Sequence, residues 1–101
     1  MSTILDRAQI FDRVREILTE ALAVAPVEVR PEARLIEDLG AESIDLLDLR
    51  FRVEKVFGFR ISTQDLAVAF GTDITPEEFR RRFTVDALCG YVQARLGQAR
   101  G

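Results

Sequence analysis

The chain has 101 residues, 14 of them basic and 17 acidic, for a formal charge of −3, with one cysteine and no histidine. An internal disulfide is therefore impossible, a lone thiol without imidazole argues against a zinc site, and the length suits one domain with a modest core. No basic-then-apolar leader opens the sequence and no apolar run approaches the roughly 20 residues of a membrane span, so a cytoplasmic protein without membrane insertion is expected.

The charge is unevenly spread. Residues 1–49 carry 5 basic and 11 acidic side chains, whereas residues 50–101 carry 9 basic and 6 acidic ones. An acidic half with no basic stripe argues against nucleic-acid binding and suits a partner that presents a positive patch.

Residues 8–22, AQIFDRVREILTEAL, predict an amphipathic helix. Ile10, Val14, Ile17, Leu18 and Ala21 recur at spacings of three and four, and Asp12, Arg13, Arg15, Glu16 and Glu20 lie mostly off that stripe. Pro26 forbids easy continuation, which ends the helix by about Ala23. The next stretch, 24–39, holds two prolines, Pro26 and Pro31, together with the apolar Val24, Val27, Val29, Leu35, Ile36 and Leu39. It reads as a long loop pinned across the core, ending in a glycine turn at Gly40.

Residues 43–57, SIDLLDLRFRVEKVF, predict a second helix with Ser43 as its N-cap and Asp45 in its positive first turn. Leu46, Leu49, Val53, Val56 and Phe57 can share one face, while Ile44, Leu47 and Phe51 form a second apolar line. A helix on the outside of a small bundle buries only one stripe, so the second line is a candidate contact surface.

Gly58 is placed to end this helix, and Ser62 or Thr63 can cap a short one at 64–70, broken by Gly71. Thr75-Pro76-Glu77-Glu78 is a strong helix start for a segment 76–82 that carries Arg80, Arg81 and Arg82, which read most simply as a solvated face. Thr84 caps a last helix over 85–96, with Val85, Leu88, Cys89, Val92 and Leu96 on one face and a frayed tail over 97–101. Cys89 reads as a small buried apolar residue. The pattern predicts an all-α bundle with a long loop between its first two main helices.

The run Asp38-Leu39-Gly40-Ala41-Glu42-Ser43-Ile44-Asp45-Leu46-Leu47-Asp48 puts a hydroxyl at a loop-to-helix junction inside a collar of Glu42, Asp45 and Asp48. No histidine is present and the only lysine, Lys55, lies about three turns further along the helix, so nothing nearby can deprotonate Ser43. It is a poor nucleophile on its own and a good acceptor for an enzyme that brings the base. A plain helix cap is the simpler alternative for this serine, as core packing is for Ile44, Leu47 and Phe51.

The run DLGAESIDLLDL resembles the signature of the acyl carrier protein family. IFDRVREILTEALAVAPVEVRPEARLIEDLGA is similar to that family's first helix and long loop, and TVDALCGYVQARL to its last helix, so the resemblance covers about residues 8–61 and 84–96. It implies one carrier domain over 1–101, an antiparallel bundle of three main helices plus short ones, and a monomer that is not an enzyme. It implies that Ser43 carries 4′-phosphopantetheine, donated by coenzyme A and attached by a separate Mg²⁺-dependent phosphopantetheinyl transferase. Glu42, Ile44, Asp45, Leu47, Asp48 and Phe51 would then face the basic docking patches of acyl-loading and acyl-transfer enzymes. Acyl groups would travel as thioesters on the arm, at raised effective concentration for each partner.

Two departures from the family point to a specialised member. The second helix, usually acidic throughout, turns to Arg50, Arg52, Glu54 and Lys55. The stretch 62–83 is longer than the family usually has there, and its Leu66, Val68, Phe70, Phe79 and Phe83 could extend an acyl pocket. The load itself stays open among fatty acyl, polyketide, aminoacyl and hydroxyacyl groups, with a lean towards fatty-acid or specialised lipid biosynthesis. An unmodified interaction module on the same fold is the alternative of a different class.

Overall fold

The computed structural model describes residues 5–65 and 74–100. The first helix, α1 (Arg7–Leu22), opens on a reciprocal cap: the Asp6 carboxylate accepts the Gln9 N–H at 2.8 Å and the Gln9 side chain accepts the Asp6 N–H at 2.9 Å. Ile10, Val14, Ile17 and Leu18 are buried, as their spacing requires, and α1 packs against both other long helices. Each such aliphatic side chain contributes roughly 1.5–3 kcal/mol relative to leaving it in water. The helix ends at Leu22 because Ala23 turns left-handed (φ 56°), three residues before Pro26 opens a single 3₁₀ turn, Pro26–Glu28.

From there to α2 (Ser43–Phe57) the chain crosses the core in extended and turn conformations. Val29, Ala33, Leu35, Leu39 and Ala41 are buried, so this loop is pinned as the apolar pattern predicts. Val27 departs from that expectation: it sits on the 3₁₀ turn and is 80% exposed. The pinning is also a matter of backbone hydrogen bonds. The Leu35 N–H donates to the Phe83 carbonyl, the Val85 N–H to the Ala33 carbonyl (both 2.9 Å) and the Asp86 N–H to the Pro31 carbonyl at 2.8 Å. Arg34 and Thr84 thus form an isolated antiparallel bridge that satisfies buried polar backbone without a sheet. Past it, the Ala41 N–H returns to the Leu35 carbonyl at 2.9 Å, and Gly40 supplies the positive φ (75°) that the turn into α2 needs.

Gly58 (φ 79°) ends α2, its N–H donating to the Glu54 carbonyl at 2.9 Å. Ser62 and Asp65 cap each other at the start of a helical turn over 63–65. The rest of the helix expected over 64–70, with Leu66, Val68, Phe70 and Gly71, lies outside the described residues. The short helix α3 (Pro76–Arg82) starts as read, with Thr75 Oγ1 accepting the Glu78 N–H at 3.1 Å. Thr84 Oγ1 likewise accepts the Ala87 N–H at 3.0 Å at the head of α4 (Val85–Arg100). The tail predicted to fray from residue 97 instead stays helical to Arg100. Gly97 disfavours a helix by about 1 kcal/mol, but the Gln98-Ala99-Arg100 run that follows consists of strong helix formers.

Two side-chain clusters lock the helices together. Arg7 donates to the Asp86 carboxylate at 2.8 Å, to the Asp86 carbonyl at 3.1 Å and to Gln93 at 2.7 Å, fastening α1 to α4. Arg95 on α4 bonds the Tyr91 hydroxyl at 2.9 Å and Asp65 at 3.3 Å, and lies 4.7 Å from the centre of the Phe59 ring. It therefore holds the segment leaving α2 onto α4. Cys89 is buried as expected, and burial pushes its thiol up to about 11, so it stays protonated and inert.

Gly90 sits in the interior of α4 with Arg7 above it, and a Cβ there would lie 3.5 Å from the guanidinium, an ordinary contact. Gly90→Ala is expected to raise stability by about 0.8–1 kcal/mol, whereas Leu18→Ala, in the middle of the core, is expected to lose about 2–5 kcal/mol; denaturant unfolding of both variants checks the contrast. The loop has a pH signature as well. The Asp38 carboxylate is held below its ordinary value of 3.8, first by the Arg34 backbone N–H (2.8 Å) and then by the Arg34 side chain (3.3 Å). A carboxylate depressed in the folded state adds stability that is whole above the unfolded value and is lost as pH falls through the folded one. Asp38→Asn is therefore expected to lower the melting temperature at neutral pH and to narrow its gap to the wild type below pH 3.8; a melting series across that range reads the outcome.

Candidate functional site

The geometry around Ser43 follows from how α2 begins. Glu42, not Ser43, is the N-cap: its backbone is extended (φ −103°, ψ 173°), and Ser43 is the first helical residue. The Glu42 N–H is taken by the Asp45 carboxylate at 2.9 Å, which closes the helix end without help from the serine. The expected cap is thus displaced by one residue, because Asp45 at the third position is the better-placed acceptor. The consequence is chemical. The Ser43 hydroxyl is exposed and makes no hydrogen bond among the described residues. It stands at the positive end of a helix dipole, where a phosphate ester is electrostatically favoured. The residues present fit a phosphate-linked group on this oxygen.

α2 has two apolar sides. Leu49 and Val53 are buried and Leu46 and Phe57 half-buried, all facing the bundle. Ile44, Leu47 and Phe51 lie two positions out of step with Leu46, Leu49 and Val53, hence about 200° around the helix. They are 72%, 50% and 56% exposed, so the core-packing alternative fails for all three. Val56, read from the sequence as inward, joins the solvent side at 44% exposure.

The charges along α2 differ in kind from their sequence order. Arg52 bonds the Asp48 carboxylate at 2.8 Å and reaches Glu20 on α1 at 3.4 Å. Arg50 pairs with Glu54 at 3.8 Å. The positive half of α2 is therefore largely neutralised within the helix, and no free basic stripe replaces the acidic one. Asp48 is neutralised along with it, so the uncompensated negative charge near Ser43 comes from Glu42 and Asp45.

Behind α2 lies an apolar cavity of about 130 Å³ lined by Leu46, Leu49, Arg50, Val53, Ile61, Phe79, Phe83, Leu88 and Tyr91. Leu46, on its lining, stands one turn along α2 from Ser43. Phe79 and Phe83, stacked with ring centres 5.0 Å apart, bring the end of the 62–83 stretch onto its wall. Leu66, Val68 and Phe70, expected there too, lie outside the described residues. Arg50, Ile61 and Tyr91 were not anticipated on this wall. For Arg50 the signal was present: it stands four residues after Leu46 and three before Val53, in phase with the inward stripe. Of the three clustered arginines, Arg82 pairs with Glu78 at 3.4 Å and all three are exposed, which is the solvated face expected. No described helix is long and apolar enough to cross a membrane.

Comparison with known proteins agrees with this geometry. A family model described as a phosphopantetheine attachment site matches residues 12–68. The chain is 35% identical over 91 residues to the acyl carrier protein of Thermotoga maritima, covering 90% of this chain and 96% of that one. It is 35% identical over 92 residues to acyl carrier protein 2 of Ralstonia nicotianae, covering 91% and 98%. A third relative, the acyl carrier protein of Solidesulfovibrio magneticus, is 43% identical over 54 residues, 54% of this chain and 69% of the other. Proteins of this kind work with a phosphopantetheinyl transferase and with acyl-handling enzymes. A match to the phosphopantetheine attachment-site family, a helical bundle built around the loop-to-helix junction and relatives that align across nine-tenths of the chain meet in one conclusion: this chain belongs to the acyl carrier protein family and is a carrier rather than an enzyme.

Proposed function

We propose that Ser43 is the residue that bears the phosphopantetheine arm, and that the chain delivers acyl groups to partner enzymes of fatty-acid or specialised lipid biosynthesis. The observation that supports this most is the exposed Ser43 hydroxyl at the first position of α2, left out of the cap by Glu42 and Asp45. When attached, the arm supplies a thiol that holds an acyl group as a thioester. Glu42 and Asp45 give the approach an acidic rim for a basic docking patch, with Asp48 tied up by Arg52, and Ile44, Leu47 and Phe51 form the apolar centre of the contact. Such a centre, ringed by charge, is the usual anatomy of a specific interface. The cavity behind α2 is the seat for the acyl chain, with Phe79 and Phe83 as the contribution of the extended 62–83 stretch. That contribution favours a specialised load over the general one.

Co-expression with a broad-specificity phosphopantetheinyl transferase, read by intact mass, tests the attachment. Wild type is expected to gain one phosphopantetheine and Ser43→Ala none. A gain that persists in Ser43→Ala moves the site, and no gain while a control carrier is modified overturns the reading. The docking face has its own test. Phe51→Asp is expected to change thermal stability little, because more than half of the residue is exposed, yet to lower kcat/KM of a loading enzyme for the carrier roughly tenfold, as the loss of an interface hot spot does.

A further inference from the structure

Two cations at the far end of the exposed α2 face stand outside its charge pairs. Arg50 is taken by Glu54, and Arg52 by Asp48 and Glu20. The side chains of Lys55 and Arg60 are exposed and make no ion pair or hydrogen bond among the described residues. Both line one open groove, together with Phe51, Glu54, Gly58 and Phe59. The one carboxylate there is occupied: Arg50 pairs with Glu54 at 3.8 Å, and the Ile61 N–H donates to it at 2.6 Å. Compensation of the helix dipole accounts for Lys55, in the last turn of α2, but not for Arg60, two residues past the Gly58 that ends the helix. Nor does the dipole cancel the pair, since the carbonyl end of a helix carries about half a negative charge against two full positive ones.

Ile44, Leu47, Phe51 and Lys55 follow one another at intervals of three, four and four, which keeps them within about 80° around α2. Over roughly 18 Å from Ser43 to Lys55, the exposed face thus changes from acidic at Glu42 and Asp45, through the apolar ridge, to basic at Lys55 and Arg60. The screening length at physiological salt is about 8 Å, so the two ends do not cancel and each acts locally on whatever covers it. A specific interface takes about 800 Å² per partner, a patch roughly 30 Å across, so one protein seated on the ridge spans both ends. We propose that the enzymes that load or unload this carrier dock through a two-signed face, with cations against Glu42 and Asp45, an apolar centre over Ile44, Leu47 and Phe51, and a carboxylate in the groove against Lys55 and Arg60. The proposal rests on the reading of Ser43 as the arm's attachment point. The arrangement fixes which way the partner lies along α2, because the reversed orientation sets like charges together at both ends. It also disfavours a partner whose docking face is basic throughout. A second copy of this chain, laid antiparallel, offers the same charge match, but it covers the ridge and the approach to Ser43 that a carrier has to present to its enzymes.

Charge reversal at Lys55 and Arg60 tests this by the sign of its effect. The full chain is converted to its holo form, and kcat/KM of a loading enzyme is measured for the wild type, for Arg60→Glu and for Lys55→Glu with Arg60→Glu. The double variant is expected to fall roughly tenfold, as two attractions at the rim become repulsions, and the single variant to fall part of the way. The deficit is expected at about 0.05 M salt and to shrink at about 0.5 M, where screening is far stronger. A docking face that is basic throughout gives the opposite result, because the variants make α2 more acidic: an unchanged or raised kcat/KM overturns the proposal and leaves the carrier reading standing. Arg60→Glu lies outside the helix and avoids any dipole cost, so it decides the matter should the double variant fail to fold, with melting temperature and gain of phosphopantetheine as the checks on folding. Sedimentation of the wild type completes the test. A monomer is expected; a dimer that the double variant abolishes makes a second copy the occupant of this face and overturns the proposal. If the wild type gains no phosphopantetheine while a control carrier does, the reading of Ser43 fails and takes this one with it.

Discussion

The antiparallel bridge between Arg34 and Thr84 is the constraint on which the rest of the structure depends. A long loop with buried apolar side chains must also bury its peptide groups, and each of those needs a partner. Ala33 and Leu35 find theirs on Phe83 and Val85, with Pro31 and Asp86 extending the seam. Once that seam is closed, Leu35 and Val85 lie fully buried in the same core. The turn through Gly40 then leaves in one direction only, and α2 starts where that turn delivers it. The position of the Ser43 hydroxyl is thus inherited from hydrogen bonds made several residues upstream and by the head of the last helix.

The same seam explains how the end of the 62–83 stretch reaches the cavity behind α2. Phe83 is its last residue and flanks the bridge, its carbonyl accepting the Leu35 N–H. The ring on one side of that peptide is stacked on Phe79 and faces the space behind α2. At its other end the stretch begins beside Asp65, which Arg95 holds against α4. Both roots of the stretch are tied to the bundle, by backbone bonds at one end and by a charged clasp at the other. The wall that Phe79 and Phe83 contribute is therefore built into the fold.

α2 does two jobs with one helix, and the periodicity of its apolar residues permits it. Leu49 and Val53 hold it to the bundle, while Ile44, Leu47 and Phe51 leave a ridge in water beside the exposed serine. Charge on the helix is handled by pairs three or four residues apart, which weaken the net field at its far end and leave the acidic character near Ser43. Arg50 belongs to neither side cleanly. It is in phase with the buried stripe, its stem lines the cavity, and its guanidinium is anchored to Glu54, which in turn holds the Ile61 backbone.

Much of this was legible in the sequence. The helices were read from apolar spacing, their starts from Thr75 and Thr84, their ends from Gly58 and from the stretch before Pro26, and Ser43 from its motif and flanks. These are features in which cause and effect lie within a turn or two of chain. The misreadings were local competitions that spacing alone does not resolve. Glu42, with its N–H held by Asp45, took the cap from Ser43, Val27 turned outward on a 3₁₀ turn, Val56 fell on the solvent side, and the tail stayed helical through Gly97. Sequence by itself therefore determined the helical content, the second apolar line of α2 and the loop-to-helix junction at Ser43, because each depends on neighbours along the chain. Only the tertiary structure decided which charges on α2 remain uncompensated, that the long loop is sewn to the last helix, and that Arg50 lines an apolar cavity. Those outcomes depend on groups brought together across the whole chain, where ångström differences separate a hydrogen bond from an unmet one.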